Sequence, residues 1–135
     1  MIGIVILAHG PLSAAFRDAL EHVLGPQSGI EAISVDPEDS PSLTRQSLNT
    51  AMKTVDQGAG VIVVTDLYGS TAANYGLKAC AREDRRLLYG ANLPMLIKLA
   101  KARHLSLDEA CDRALRAGQS YMDRAGQTVA FNRAG

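Results

Sequence analysis

Apolar and polar positions along the chain form blocks of two kinds. Continuous apolar runs at residues 2–8 and 61–64 are typical of strands buried on both faces, and weaker runs at residues 30–35 and 87–91 predict two further strands. Between the runs, apolar residues recur at spacings of three and four, which predicts helices. We expect these helices at residues 13–24, from Ser40 or Ser42 to 55, at 72–81, from the Asn92-Leu93-Pro94 turn to 103, and from Ser106 to about 124.

Strands and helices alternate from the start of the chain, and no linker or repeat interrupts them. This order predicts an α/β fold in one domain spanning residues 1–135, with a doubly wound, mainly parallel sheet and helices on both faces. The flavodoxin-like strand order 2-1-3-4 suits it. A short alternating segment at residues 128–131 follows the last helix, and the pattern alone does not place it in the sheet.

Composition excludes several classes of function. Fourteen basic residues balance fourteen acidic ones, so the chain lacks the basic surface of a general nucleic-acid binder or a polybasic membrane anchor. Aromatic residues make up only 4% and tryptophan is absent, which argues against stacking platforms for single-stranded nucleic acid. Hydrophobic residues make up 47%, enough for a real core, so disorder is excluded.

The two cysteines and the N-terminus carry little chemistry. Cys80 and Cys111 lie 31 residues apart, which is neither a disulfide framework nor a zinc pattern, and we interpret both as small buried hydrophobes. The apolar N-terminal run has no preceding Lys or Arg and ends at His9, so it is not a signal peptide or a membrane span. We expect a soluble, cytoplasmic protein.

Candidate chemistry lies where the first and third strands end. In an open α/β sheet ligands bind beyond the carboxyl ends of the strands, at the point where the winding reverses. For the order 2-1-3-4 that point lies between strands one and three, so the topology brings His9 next to Asp66. A carboxylate that accepts the Nδ1 hydrogen leaves Nε2 unprotonated and nucleophilic, and it stabilises the cation formed on attack.

Gly69, Ser70 and Thr71 open the helix that follows Asp66, where free amides and hydroxyls suit a phosphate group. Together these residues predict phosphoryl transfer to the histidine itself. Taken singly, His9 also fits a loop residue, and Asp66, Ser70 and Thr71 also fit helix caps. We expect His22 and His104 on the surface of helices, residues 83–86 in a solvated turn, and Arg17 at an exposed helix position.

Three segments of the chain resemble a known family. The Ile-Val-Ile-Leu-Ala-His-Gly run at residues 4–10, the Asp-Leu-Tyr-Gly-Ser-Thr run at residues 66–71 and the Gly-Ala-Asn-Leu-Pro-Met run at residues 90–95 lie in the order and spacing of the IIA component of the mannose-type sugar phosphotransferase system. The resemblance covers about residues 2–131. A strand-ending His-Gly is weak on its own, but the three motifs together are fairly specific.

The resemblance implies a cytoplasmic phosphocarrier without metal or cofactor. His9 matches the histidine that the family phosphorylates on Nε2, using the small histidine phosphocarrier HPr as donor and a IIB protein as acceptor. Asp66 matches the aspartate that orients the ring, and Thr71 matches a hydroxyl residue beside it. The family forms homodimers in which a final antiparallel strand is exchanged between subunits, which gives residues 128–131 a place. Because the sequence ends at Gly135, we expect no fused IIB domain, so the protein serves either a separate IIB chain in sugar uptake or a stand-alone regulatory role.

Four alternatives differ from this interpretation. The phosphotransfer subunit of a phosphoenolpyruvate-dependent dihydroxyacetone kinase shares the fold and the early histidine, but residues 90–95 fit it less well. A histidine phosphatase needs an arginine where Ala8 stands, and a tetrapyrrole metal chelatase needs a second histidine at the metal. A flavin-binding flavodoxin-like module needs a hydroxyl-rich loop where Gly10-Pro11-Leu12 stands.

Overall fold

The structure, a computed structural model, describes residues 1–67 and 69–126. Within those ranges parallel strands alternate with helices, as the sequence pattern predicts. The strands are β1 (Gly3–His9), β2 (Ile30–Val35), β3 (Val61–Thr65) and β4 (Arg85–Leu88). The helices are α1 (Leu12–Leu24), α2 (Pro41–Val55), α3 (Thr71–Ala79), α4 (Leu93–Lys101) and α5 (Leu107–Ser120).

The four strands form one parallel sheet in the order β2-β1-β3-β4, which confirms the predicted order and fold class. In the register, Ile4 of β1 lies beside Ile30 of β2 and Ile62 of β3. The chain winds outward from β1 in both directions, so the reversal lies between β1 and β3 and their carboxyl ends meet there. The predicted antiparallel strand at residues 128–131 lies outside the described residues.

The core consists of two hydrophobic clusters, one on each face of the sheet. Because successive side chains of a strand point to opposite faces, Ile4 and Ile6 enter one cluster while Val5 and Leu7 enter the other. Helices α1, α4 and α5 cover the first face, and α2 and α3 cover the second. This two-sided burial explains why β1 and β3 are apolar at every position rather than at alternate ones.

Helix starts follow the capping signals in the sequence. Ser40, Asn92 and Ser106 cap α2, α4 and α5, each accepting a hydrogen bond from the backbone N–H three residues later. The predicted ends of α1 and α2 are confirmed, but the last three helices end earlier than the periodicity predicts. Helix α5 ends at Ser120 rather than near residue 124, and α3 and α4 each end two residues before their expected ends.

The edge strand β4 departs from the prediction. It begins at Arg85 and ends at Leu88, whereas the apolar run predicts residues 87–91 and a solvated turn at 83–86. Both arginines are half-buried: Arg85 donates to the Ala79 carbonyl oxygen at 2.7 Å, and Arg86 pairs with Asp108 at 2.8 Å. Partners at the sheet edge therefore let charged side chains occupy strand positions, which an apolar pattern does not reveal.

A buried arginine joins the amino ends of the strands. Arg103 is 3% exposed and donates from its guanidinium to the carbonyl oxygens of Ile2, Ser28 and Gly29, at 2.7, 2.7 and 3.2 Å. Burial lowers the pKa of its guanidinium, because desolvation disfavours the charged form. Nearby, a Cβ on Gly3 would collide with the Val55 carbonyl, so glycine at this position lets the end of α2 approach β1 closely.

Residues without a predicted function lie mostly as expected. Cys111 is buried and Cys80 half-buried, and burial raises the pKa of each thiol to about 11, consistent with unreactive core cysteines. His22 and His104 are exposed, although His104 lies in the turn between α4 and α5 rather than on a helix. Arg17 is half-buried beside Glu21 at 3.5 Å. Within residues 1–67 and 69–126, no helix is long and apolar enough to cross a membrane.

Candidate functional site

His9 and Asp66 meet at the carboxyl edge of the sheet, as the topology predicts. His9 is the last residue of β1 and Asp66 directly follows β3, and their backbones are neighbours because Leu7 pairs with Thr65. His9 Nδ1 lies 2.8 Å from Asp66 Oδ2. The same oxygen accepts the backbone N–H of His9 at 3.3 Å, so one carboxylate holds both the ring and the peptide of the histidine.

The geometry fixes which ring nitrogen is nucleophilic. An ionised carboxylate only accepts hydrogen bonds, so in the neutral imidazole Nδ1 carries the hydrogen and Nε2 carries the free lone pair. Burial raises the pKa of Asp66, but the side-chain and backbone hydrogen bonds from His9 outweigh it and hold that pKa below its usual value. The His9 side chain is 44% exposed and that of Asp66 14%, so the ring faces solvent over a largely covered carboxylate.

The loop after His9 is held by β2, a contact that the sequence analysis missed. Gly10 has a φ of +54°, and its N–H donates to the Val35 carbonyl oxygen at 3.1 Å. Ser34 Oγ donates to the Gly10 carbonyl oxygen at 2.6 Å. These two bonds lock the turn that carries the ring. The feature from which this contact could have been predicted is the position of Ser34, which lies one residue before the carboxyl end of β2 and beside β1 in the sheet.

The residues proposed for phosphate binding differ in their availability. Ser70 caps α3: its Oγ accepts from the Ala73 N–H at 3.2 Å and donates to the Leu67 carbonyl oxygen at 2.6 Å. Thr71 is exposed, and its hydroxyl has no hydrogen bond among the described residues. Gly69 has a φ of +80° and open space where a Cβ would stand. Thr71 is therefore the hydroxyl in this segment that is free to contact a ligand.

The 90–95 segment supports the same edge from the other side of β3. The Ala91 N–H donates to the Thr65 carbonyl oxygen at 3.0 Å, which ties the segment to the residue before Asp66. Asn92 caps α4 and also donates from Nδ2 to the Gly118 carbonyl oxygen at 3.0 Å. A Cβ on Gly118 would lie only 3.2 Å from Asn92 Oδ1, so the close approach of α5 favours glycine there. Through these hydrogen bonds and this close packing, the segment at residues 90–95 connects β3, α4 and α5.

Within the described residues, two buried side-chain oxygens at the carboxyl end of β3 lack a hydrogen-bond partner, Thr65 Oγ1 and Asp66 Oδ1. Asp66 Oδ1 is buried and accepts no hydrogen bond from the part of the chain that the structure describes. Buried carboxylate oxygens are normally hydrogen-bonded, so this oxygen has spare accepting capacity beside the ring. No group of three or more His, Cys, Asp or Glu side chains that suits a metal ion occurs in residues 1–67 and 69–126.

Fold and site define an open, doubly wound α/β protein with an exposed histidine, oriented by a carboxylate, at the switch point of its sheet. The sequence profile of the EIIA-man family, described as the PTS system fructose IIA component, matches residues 3–115. The chain therefore belongs to this family. It is an EIIA-type component of a sugar phosphotransferase system (PTS), a class of proteins that transfer phosphoryl groups.

Individual relatives agree with the family. The chain is 23% identical over 111 residues to the PTS system fructose-specific EIIA component of Bacillus subtilis (strain 168), covering 81% of this chain and 76% of the relative. It is also similar to phosphotransferase system component EIIA from Streptococcus agalactiae, with 25% identity, a TM-score of 0.83, and coverage of 92% of this chain and 97% of that one.

A further solved structure shares the fold. The mannose/sorbose specific IIA subunit of the phosphotransferase system from Enterococcus faecalis superposes with a TM-score of 0.83 at 23% identity, covering 93% of this chain and 96% of that one. At this identity the likeness supports the architecture, a four-stranded sheet in the order 2-1-3-4 with helices on both faces.

Proposed function

We propose that the protein is a cytoplasmic phosphocarrier in which Nε2 of His9 accepts a phosphoryl group from phosphorylated HPr and passes it to a IIB protein. The observation that carries the proposal is the 2.8 Å contact between His9 Nδ1 and Asp66 Oδ2 on a ring that is 44% exposed. This contact leaves Nε2 as the nucleophile, and the exposure lets another protein's phosphohistidine approach it.

The transfer is balanced without a metal ion or an external base. The Nε2 lone pair of neutral His9 forms the new N–P bond while the donor's N–P bond breaks, and the donor nitrogen keeps the electron pair of that bond. Positive charge passes from the donor imidazolium to the ring of His9, whose Nδ1 keeps its hydrogen and donates it to Asp66 in a hydrogen bond throughout. Asp66 therefore acts by orienting the ring and stabilising the cation, and no proton leaves the site.

Thr71 is the residue we assign to the phosphoryl oxygens. It is the first residue of α3, where backbone N–H groups lack partners within the helix and the helix dipole favours negative charge. Its free hydroxyl adds a donor. Ser70 contributes by capping α3 and shaping the turn through its bonds to Leu67 and Ala73, and Gly69 by allowing the turn.

The carrier works as a homodimer in this proposal. Residues 128–131 have an alternating apolar face, and a four-residue edge strand is poorly stabilised within one chain. Pairing across a two-fold axis adds buried area and protects the strand edge. We expect light scattering at micromolar concentration to give twice the mass of the 14.3 kDa chain. A monomer at that concentration would contradict the dimer.

Labelling tests the carrier. The protein is incubated with phosphoenolpyruvate, enzyme I and HPr, and the phosphate bound per chain is measured together with its acid and base stability. We expect one acid-labile, base-stable phosphate, and its loss when an excess of a IIB protein is added. The variant His9→Gln should take up none. His22→Gln and His104→Gln are matched controls, because both histidines are exposed and distant in sequence from the site.

The outcomes separate the possible failures. Labelling that persists in His9→Gln would show that the nucleophile is wrongly assigned. Labelling of His9 that a IIB protein does not remove, but that dihydroxyacetone kinase subunits do, would keep the nucleophile and replace the acceptor.

A further inference from the structure

A basic groove runs between α4 and α5 on the outer surface of the molecule. It is open to solvent, with a volume of about 740 Å³. Three of its six lining residues are cations and two carry neutral polar groups. The six are Lys98, Arg113, Arg116, Ala117, Gln119 and Ser120.

The cations of this groove lack acidic partners in the described part of the chain. Neither Lys98 nor Arg113 makes a hydrogen bond or an ion pair there, and Arg116 only donates from Nε to the Asp112 carbonyl oxygen at 3.4 Å. Elsewhere, an exposed basic group does find a carboxylate, as Arg82 does with Asp84 at 3.2 Å. In a chain of zero net charge, the groove is thus a local concentration of positive charge.

The packing of the two helices builds this concentration. Helix α5 turns small residues toward the core, with Ala110, Ala114 and Ala117 buried, so α4 and α5 lie close together. Arg113 and Arg116 are three residues apart and share one face of α5, and Lys98 reaches the same groove from α4. Three like charges held together by two rigid elements repel one another, and a bound polyanion relieves that repulsion.

We propose that this groove binds an organic phosphate that carries at least two negative charges and has the size of a nucleoside diphosphate. Guanidinium groups bind phosphate oxygens through paired N–H donors, which suits Arg113 and Arg116, while Lys98 adds a point charge. The Gln119 amide and Ser120 hydroxyl offer hydrogen bonds to the uncharged part of the ligand. The groove's volume exceeds what a lone phosphate ion fills.

This site is separate from the phosphorylated histidine and goes beyond the proposed function. None of the groove's lining residues belongs to the His9 site, and α4 and α5 cover the face of the sheet opposite α3. A ligand here is therefore a modulator or a second substrate rather than the transferred phosphoryl group. Binding and phosphotransfer should be separable by mutation.

Titration with ADP tests the site, with binding followed by calorimetry and by amide chemical shifts of the full-length protein. We expect saturable binding with shifts centred on residues 113–120, weakened by added salt because the cations are exposed. Pyrophosphate should compete and adenosine should not. Arg113→Gln and Arg116→Gln should each weaken ADP binding at least tenfold.

Two control variants isolate the groove. Arg45→Gln removes an exposed arginine from α2, on the other face of the sheet, and should leave ADP affinity unchanged. His9→Gln should also leave it unchanged, so failure of the phosphocarrier and failure of the groove are distinguishable. Absence of saturable ADP binding at 5 mM would overturn the proposal. An ADP affinity of Arg113→Gln equal to that of the parent would also overturn it. So would a change in the oligomeric state of that variant without a change in its affinity for ADP.

Discussion

The two edges of the sheet use charged side chains in opposite ways. At the amino edge, Arg103 is 3% exposed and each of its nitrogens donates to a backbone carbonyl. At the carboxyl edge, the His9 side chain is 44% exposed and bonds to Asp66, whose second carboxylate oxygen has no partner among the described residues. At the amino edge, all three guanidinium nitrogens of Arg103 are used in hydrogen bonds to the protein. At the carboxyl edge, Nε2 of His9 and Oδ1 of Asp66 remain able to interact with a ligand.

The difference separates stability from chemistry. A buried, fully bonded group stabilises the fold because removing it leaves its partners unsatisfied. An exposed nucleophile with a free lone pair contributes little to stability but is available for reaction. Mutation of Arg103 at the amino edge should therefore lower the free energy of unfolding without changing the rate of phosphotransfer per folded molecule. Mutation of His9 or Asp66 at the carboxyl edge should lower that rate with little change in the free energy of unfolding.

The largest loss of stability should come from Arg103→Met. The buried carbonyl oxygen of Ile2 and the part-buried bonds to Ser28 and Gly29 would lose their side-chain donor, at an expected cost of about 3–5 kcal/mol in the free energy of unfolding. Urea denaturation measures this cost. Arg45→Met, at an exposed position, should stay within about 0.5 kcal/mol of the parent. Equal stability of the Arg103 and Arg45 variants would show that the amino edge is not held this way.

Asp66→Asn should have the next largest effect, on rate rather than on stability. An amide no longer stabilises the imidazolium and can hold the ring in the other tautomer, so we expect the barrier to rise by about 2–4 kcal/mol, or roughly 30- to 1,000-fold in rate. Rapid-quench measurement of phosphoryl uptake from phosphorylated HPr checks this. An unchanged rate of phosphoryl uptake in Asp66→Asn would show that Asp66 does not orient the ring. If the variant failed to fold, Asp66 would be a structural residue, like Arg103.

Gly10→Ala should have a smaller effect that spans both properties. Nothing lies within 4 Å of an added Cβ, so the cost is the positive φ of +54°, about 1–2 kcal/mol for a residue with a side chain. Relaxation of that strain should move the neighbouring ring and slow phosphorylation. Gly58→Ala is the matched control, with a φ of +97° and equally open space far along the chain from His9. It should lose stability but keep the parent rate.

Ser34→Ala should have the smallest effect. The hydroxyl donates to the Gly10 carbonyl oxygen at 2.6 Å on an exposed part of the surface, so its loss should cost about 0.5–1.5 kcal/mol. We expect a few-fold slower phosphorylation, restored by Ser34→Thr, which keeps the hydroxyl. A rate equal to the parent's in Ser34→Ala would limit the site to His9 and Asp66.

The sequence was sufficient where one local rule decided the outcome. Continuous apolar runs identify β1 and β3 because both faces of these strands are buried. The switch-point rule then pairs His9 with Asp66 across 57 residues of sequence, because topology alone brings the two strand ends together. Capping residues also predicted the starts of α2 and α5, because the hydrogen bond of a cap joins residues only three apart in the sequence.

The sequence was insufficient where long-range partners decided the outcome. The bonds from Arg103 reach Ile2 and Ser28, which lie 101 and 75 residues away, so no local pattern predicts them. Arg85 and Arg86 begin β4 because Ala79 and Asp108 supply partners at the sheet edge. The hydrogen bond from Ser34 to the Gly10 carbonyl oxygen was missed likewise, because the residue type does not identify the partner and only the position of Ser34 beside β1 in the sheet indicates it.

The central claim is that Asp66 accepts a hydrogen bond from Nδ1–H of His9, so that Nε2 is the nitrogen that accepts the phosphoryl group. It is tested most directly by NMR of protein with ¹⁵N-labelled histidine, before and after phosphorylation by HPr. We predict the Nδ1–H tautomer in the free protein, and a ³¹P–¹⁵N coupling to Nε2 of His9 in the phosphorylated protein. A coupling to Nδ1, or to a nitrogen of His22 or His104, would contradict the account.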